Sequence, residues 1–381
     1  MVIFGSALLL MSAIGTACLM IAAIRLYRFK PFRAALDQQC EAVTILKPLH
    51  GTEPQLFANL STFLRQDYPG NVQLICGVQS AADTAIPIIE TLRTAHPNAD
   101  IVLVVSAASH GTNAKISNLI NMLTEARHPI LILSDSDMAV ASDYLVRITG
   151  ALAATDVGAV TCLYRGRGDA GGWSRLAAMG ISQHFLPSVL LGTALGLATP
   201  CMGSTIALRR ATLDSIGGLG RFADLLADDY AIGQAIRASG KSVALPDMLL
   251  THACTETSLK ALIQQELRWN RTIAQLDKAG FAGSLVLHPL PIGLVGAAIC
   301  GFSPIPLMIV GVALIARIKI ALLVDCGAGN RPAPLLWIPA RDFLSFALFI
   351  WTFFGRAVDW RGTAFTVDPT GRLSTHQDKT R

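Results

Sequence analysis

Four short groups of polar residues have the types and spacing to handle a phosphorylated substrate. Ser134-Asp135-Ser136-Asp137 closes an apolar run, and carboxylates two apart on an extended or turning backbone point roughly the same way. Such a pair can share one divalent cation with a diphosphate. With 20 aspartates in 381 residues, about one Asp-x-Asp arises by chance, so its place in the chain matters more than its presence. A capping pair at a helix start is the alternative. Lys115, within His110-Gly111-Thr112-Asn113-Ala114-Lys115, stands at a loop-to-helix start that suits phosphate or nucleotide, or else is a solvated helix lysine. Asp228-Asp229-Tyr230 opens a helical stretch to Arg237. One of the two acids can cap that helix, and the other can be a general base whose pKa its neighbour raises. Gln265, Arg268 and Trp269 share one face of an amphipathic helix. A planar arginine beside a tryptophan suits a leaving diphosphate and a sugar or lipid acceptor.

The elements that must position these groups are short apolar runs alternating with helical patterns. Val43–Leu49, Val72–Val78, Ile101–Ser106 and Ile130–Ser134 read as strands, and Gln55–Arg65, Asp83–Ala95 and Ala114–Ala126 as helices. This βαβαβαβ order predicts a mainly parallel sheet with helices on both faces. Ligands bind such sheets beyond the carboxyl ends of the strands, just after Leu49, Val78, Ser106 and Ser134. No Gly-x-Gly-x-x-Gly and no Walker motif occurs, so dinucleotide oxidoreductases and P-loop ATPases have no support.

The composition adds a membrane. Of the 381 residues 52% are hydrophobic and only 15% charged, against about 25% charged in soluble domains, and the mean hydropathy is +0.49. This excludes a disordered chain and disfavours a purely soluble enzyme. A net charge of +5 is too small and scattered for nucleic acid and suits anionic lipid. Eight singly spread cysteines without a Cys-x-x-Cys pair disfavour disulfide frameworks and structural zinc. Val2–Ile24 carries no charge and is long enough to span a bilayer. Arg25, Arg28, Lys30 and Arg33 follow, so the run reads as an uncleaved anchor with its basic flank in the cytoplasm. Three apolar stretches lie near the other end, Leu285–Phe302, Ile305–Val324 and Leu335–Gly355. The tail beyond them, with Arg356, Arg361, Arg372, Lys379 and Arg381, is basic too, so an even number cross. The third, interrupted by Arg341 and Asp342, is the interfacial or re-entrant candidate. The expected organisation is an anchor and flank over 1–33 and a cytoplasmic domain over 40–280. Membrane segments follow over 283–357, then a cytoplasmic tail over 358–381.

With these residues assembled, the chain resembles lipid-linked and processive inverting glycosyltransferases of the A-type, Rossmann-like fold. More closely it resembles the ceramide glucosyltransferase family, glycosyltransferase family 21. The resemblance runs from about Val43 to Ile273 and rests on Ile45-Leu46-Lys47-Pro48-Leu49-His50-Gly51, Gln66-Asp67-Tyr68-Pro69, Asp135-Ser136-Asp137, Ala227-Asp228-Asp229-Tyr230 and Gln265–Trp269. It implies sugar transfer from a UDP-sugar, UDP-glucose in ceramide glucosyltransferases, to the hydroxyl of a membrane lipid. Asp137 with Asp135 would hold Mg²⁺ or Mn²⁺ on the diphosphate, and Asp229 would deprotonate the acceptor. Gln265, Arg268 and Trp269 would handle the leaving UDP and place the acceptor, with Lys47 and Lys115 among the substrate-binding residues. The family tends to carry an acid straight after Val-Gln; here Ser80 stands there, and either Asp83, matching a second family acid, takes over the uridine contact or the uridine is held differently. Trp173–Thr199, broken by Pro187, reads as a helix on the membrane beside the site or as a buried core helix. His184 within it reads as a structural histidine, which the resemblance would place near the site. That stretch and Cys201-Met202-Gly203 also resemble hopanoid-associated relatives, which implies an alternative transfer of N-acetylglucosamine to a hopanoid polyol. A non-catalytic membrane scaffold, favoured only by Ser80, and a processive polysaccharide synthase, which needs a transmembrane channel, are the competing readings.

Overall fold

The four apolar runs become strands within a residue of where their composition puts them. The computed structural model describes residues 1–27, 40–326 and 334–355, with the backbone of strands at 357–360, 363–367 and 373–375. Arg28, Lys30 and Arg33 of the basic flank lie outside the described residues, as do the tail's Arg356, Arg361, Arg372, Lys379 and Arg381. After α1 (Val2–Leu26) come β1 (Val43–Pro48), α2 (Leu56–Leu64), β2 (Val72–Val78), α3 (Ile86–Ala95), β3 (Asp100–Val105), α4 (Ala114–Leu123) and β4 (Ile130–Leu133). Next are β5 (Met138–Ala139), α5 (Tyr144–Leu152), β6 (Val157–Thr161), β7 (Leu163–Gly168), α6 (Gly172–Gly180) and, past a π-helical turn at Ile181–Phe185, α7 (Leu186–Ala194). β8 (Ile206–Arg209), α8 (Arg210–Ser215), α9 (Asp228–Ala238), β9 (Ser242–Ala244), β10 (Leu249–Cys254) and α10 (Leu259–Leu276) complete the α/β part.

The strand order is β3-β2-β1-β4-β8-β6-β9. β1 pairs in parallel with β2 and β4, and β2 with β3, while β8 runs antiparallel to both β4 and β6. The sheet is therefore mainly parallel, with one reversed strand that the sequence reading did not place. Alternate residues face opposite layers. Ile45 and Leu74 pack with α2, α3 and α5 residues such as Leu60, Ile89 and Ile148. Leu46 and Ile75 pack with Leu119 of α4 and Ile232 of α9. A second sheet, β5-β10-β7, places His252 opposite Met138, one residue past Asp137.

The C-terminal helices follow as α11 (Lys278–Gly283), α12 (Pro289–Ile299), α13 (Pro304–Cys326) and α14 (Trp337–Thr352), then a small antiparallel sheet of β11 (Ala357–Trp360), β12 (Thr363–Val367) and β13 (Leu373–Thr375). That sheet falls where only a tail was expected. Among the described residues α1 and α13 are long and apolar enough to cross a bilayer, and a third crossing arises if Lys278–Leu287 and Pro289–Ile299, bent by 63°, count as one. Leu285–Phe302 is thus not the straight span expected. Pro289 and Pro291 lack the N–H groups that would continue the preceding turn, and α12 alone covers about 16 Å. The Pro289 carbonyl, in the first turn of α12, accepts from Ser12 Oγ at 2.7 Å. A methyl at Gly15 would stand 1.9 Å from the Val286 carbonyl oxygen, and one at Gly5 2.7 Å from Cys300 Sγ. α12 therefore runs antiparallel to α1 in backbone contact, as small residues permit. α13 returns alongside, Ile320 and Val324 packing with Leu19, Ala22 and Leu26. α14, 16 residues long, covers about 24 Å. Its charges, Arg341 and Asp342, are buried, and its exposed side carries Phe343, Ile350 and Trp351.

α6, the π-turn and α7 occupy the stretch read as a surface or core helix. α7 is wedged between α1, α13 and the second sheet: Leu186 and Leu190 cluster with Leu19, Ile320 and Leu163 of β7.

Candidate functional site

A cavity of about 440 Å³ opens at the carboxyl edge of the parallel strands. One end is polar, lined by Asp135, Asp137, Lys115, Asp228, Asp229, Glu53 and His252. One face of α10 lines it lengthwise through Gln265, Arg268, Trp269, Thr272, Ile273 and Leu276. These positions are three or four apart, one helical face, and change from polar to apolar over about 16 Å. The apolar end leads along α10 towards α11, the first helix of the bent pair.

Each polar group is delivered by a local device. β4 ends at Leu133, and the turn after it presents Asp135 and Asp137. Lys47 Nζ donates to Ser134 Oγ at 2.9 Å and to the Asp135 carbonyl at 2.8 Å, over the Phe63 ring. Lys47 is fully buried and does not line the cavity; it holds the turn from beneath, and burial pushes its pKa down to about 7. Asn113 caps α4 by accepting from the Ile116 N–H at 3.1 Å, which places Lys115 in the first turn. Its Nζ lies 2.6 Å from Asp135 Oδ1 and 3.7 Å from Asp228 Oδ2. Burial opposes the ammonium, but Asp135, Asp228 and Asp229 outweigh it and hold the lysine charged. Ser258 caps α10 by accepting from the Ala261 N–H, and Arg268 Nη2 donates to Gln265 Oε1 at 3.1 Å.

The two acids at the start of α9 differ in their partners. Asp228 accepts from Asn113 Nδ2 at 3.2 Å. Asp229 accepts the N–H of Tyr230 at 2.7 Å and that of Gly203 at 2.9 Å. Burial, then the charge of Asp228, raises Asp229 to about 6. Gly203 is the meeting point: its carbonyl accepts the Asp135 N–H at 3.2 Å, and a Cβ there would stand 2.7 Å from Lys115 Nζ and 2.8 Å from Asp135 Oδ2.

Asp137 Oδ2 lies 3.1 Å from His252 Nε2, while Asp137 Oδ1 is buried without a hydrogen-bond partner. Burial opposes charge on both, yet each holds the other ionised: Asp137 is lowered and His252 raised. Among the described residues no three His, Cys, Asp or Glu side chains form a ready metal shell. The open carboxylate oxygen of Asp137 beside Asp135 nevertheless fits a hard cation that takes its remaining ligands from a diphosphate and water.

The structure thus brings together Lys115, Asp135, Asp137, Asp229, Gln265, Arg268 and Trp269. It does not bring in Asp83, whose Oδ1 accepts the N–H groups of Gly51 at 3.0 Å and Ala85 at 2.9 Å; Gln79 lines the cavity from that loop. His184 points away from it. Glu53 and His252 were missed. Glu53 accepts from Ser136 Oγ at 2.9 Å, and burial, then Asp137, raises it to about 7. Its one signal was its loop after β1, at the edge where ligands bind. His252 sits mid-strand, and no spacing marks it. Tyr164 stacks between Phe185 and His252, at centroid distances of 5.0 and 5.6 Å, and closes that wall.

The sequence profile of Glycosyl transferase family 21 matches residues 7–373. Ceramide glucosyltransferase 1 of Caenorhabditis elegans is 25% identical over 228 residues, 60% of this chain and 48% of that protein. The chain therefore spans about half the length of that relative. Ceramide glucosyltransferase 3 of the same organism is 23% identical over 359 residues, 88% of this chain and 75% of that protein. Among solved structures, a mannosyltransferase from Pyrobaculum calidifontis in complex with GDP-Man and Mn²⁺ superposes with a TM-score of 0.52 at 21% identity, covering 92% of this chain and 98% of that one.

Proposed function

Because the chain belongs to glycosyltransferase family 21, a family of sugar-transferring enzymes, we propose that it moves a hexose from a UDP-sugar to the hydroxyl of a membrane lipid. The proposed pair is UDP-glucose and ceramide, as the names of its relatives indicate. The observation that carries this is the cavity's gradient: carboxylates and cations at the sheet edge, and an apolar α10 face leading towards the membrane helices. A nucleotide diphosphate fits the first and a lipid acceptor the second.

In this reading residues 40–280 form a cytoplasmic catalytic unit and α1 with α12–α13 hold it to the bilayer. The acceptor oxygen attacks the anomeric carbon as its bond to the β-phosphate oxygen breaks, and the configuration inverts. Asp229 takes the hydroxyl proton. Lys115 and Arg268, the latter oriented by Gln265, meet the charge gathering on the departing UDP. Trp269 forms a wall for the acceptor. Asp135 and Asp137 would hold Mg²⁺ or Mn²⁺, which supplies neutralising charge at the diphosphate. No covalent intermediate with the protein is needed.

The test incubates membranes containing the protein with labelled UDP-glucose, UDP-N-acetylglucosamine or UDP-glucuronate against ceramide and a hopanoid polyol. Glucosylceramide formation that EDTA abolishes and Mn²⁺ or Mg²⁺ restores is the expected result. N-acetylglucosaminyl-hopanoid alone would move the acceptor to the alternative, and UDP binding without transfer to any lipid would make the chain a scaffold. Gly203→Ala is expected to cut transfer at least about tenfold, since displacing a catalytic group by about 1 Å can cost a hundredfold. Initial rates beside an unchanged melting temperature check it.

A further inference from the structure

Two consecutive charges on α14 lie buried, and they point to different parts of the molecule. Arg341 Nη2 donates to Glu266 Oε2 on α10 at 2.7 Å. Asp342 Oδ1 accepts from Arg317 Nη2 on α13 at 2.6 Å and lies 3.0 Å from His184 Nε2 in the π-helical turn. Arg317 also donates to the Gln183 carbonyl, and its Nη2 lies 2.6 Å from His184 Nε2. Burial, then the Arg317 guanidinium, pushes His184 down to about 3. Glu266 stands between Gln265 and Arg268 in sequence, about 100° round α10 from Gln265, and does not line the cavity.

The fit around Arg341 is close. The side chain is 2% exposed, and among the described residues its Nε and Nη1 have no hydrogen-bond partner and Glu266 is the acid paired with its charge. It passes over Gly180, where a Cβ would stand 2.2 Å from Nη2 and 3.0 Å from Glu266 Oε1. Leu348, two turns along α14, packs against Leu262 and Leu267 of α10. A buried ion pair adds little net stability over apolar residues of like volume. What this one supplies is a single permitted placement of α10 against α14.

We propose that Arg341 is a positioning residue for sugar transfer: through Glu266 it fixes the rotation and height of α10, while Asp342 ties the same helix to α13 and the π-turn. This rests on the transferase reading above. The cavity face of α10 is then set from the membrane side, by a helix whose apolar side faces outward and whose charges face in. The sheet edge supplies Asp135, Asp137 and Lys115 to the nucleotide end and α10 only Gln265 and Arg268, so loss of the pair weakens transfer more than donor binding.

The experiment compares wild type with Glu266→Met/Arg341→Met, which leaves neither charge buried, and with Arg341→Lys, which keeps a cation opposite Glu266. The full-length protein is assayed in membranes of one lipid composition. The double variant is expected to keep its melting temperature within a few degrees and its UDP affinity within about threefold. Its kcat should fall at least about tenfold, with a raised KM for the lipid. Arg341→Lys should recover most of the rate. A stable double variant with wild-type kcat and lipid KM overturns the proposal, as does one whose UDP affinity falls in step with kcat. A wild type that binds UDP yet glycosylates no lipid overturns the transferase reading itself, and this inference with it.

Discussion

Asp229→Asn is expected to lower sugar transfer by about 10²- to 10⁴-fold, the range a positioned general base contributes. Asparagine keeps the shape and can still accept the Gly203 N–H that Asp229 accepts at 2.9 Å, so fold and donor binding should survive. The pH dependence follows from the same burial. The carboxyl is raised to about 6 by its buried position and then by Asp228, and only the ionised form takes a proton. The rate should therefore climb as pH rises through about 6 and level off above it. Asp228→Asn removes the neighbouring negative charge, so the rising limb should move to lower pH. Initial rates from pH 5 to 8 at saturating donor check both statements; an Asp229→Asn enzyme with the wild-type rate would sink the assignment.

Asp137→Asn is the second large effect. One carboxylate oxygen faces His252, and the other is buried and unpartnered. The substitution removes half of the oxygen pair that fits a cation and also leaves the His252 imidazolium without its counter-charge. Losing several kcal/mol of charge stabilisation at the diphosphate is on the order of a thousandfold in rate. The response to Mn²⁺ should flatten as well. Titrating transfer against metal concentration in both proteins measures this, and an unaltered metal response would remove Asp137 from the role.

The strands β1 to β4 were legible because each is a short apolar run whose neighbours in the sheet are equally apolar. The Asp-x-Asp turn and Lys115 were legible because strand ends locate ligands in such sheets. Lys47 was not: its place under the turn depends on Ser134, the Asp135 carbonyl and the Phe63 ring, which are distant in sequence. Asp83 reads as a nucleotide contact in the sequence; in the fold it lies outside the cavity lining, and its Oδ1 ties Gly51 to the start of α3. The reversed β8, three apolar residues and Arg209, carries no sign of direction. Arg341 and Asp342 marked α14 as no ordinary span, and that much was readable. Their partners Glu266 and Arg317 were not, since the pairing joins residues 75 and 25 positions apart.

The contact between α1 and the bent pair bears on how the chain is put together in time. Gly5, Ser12 and Gly15 form a shallow track fitted to the carbonyls of Val286 and Pro289 and to Cys300. During synthesis α1 emerges first, and roughly 270 residues, at about 5–20 residues per second, separate it from that partner. For tens of seconds the track has no partner helix to pack against. The first helix is therefore half of a joint left open until the last third of the protein arrives, and a generic hydrophobic span put in its place could tether the enzyme without closing that joint.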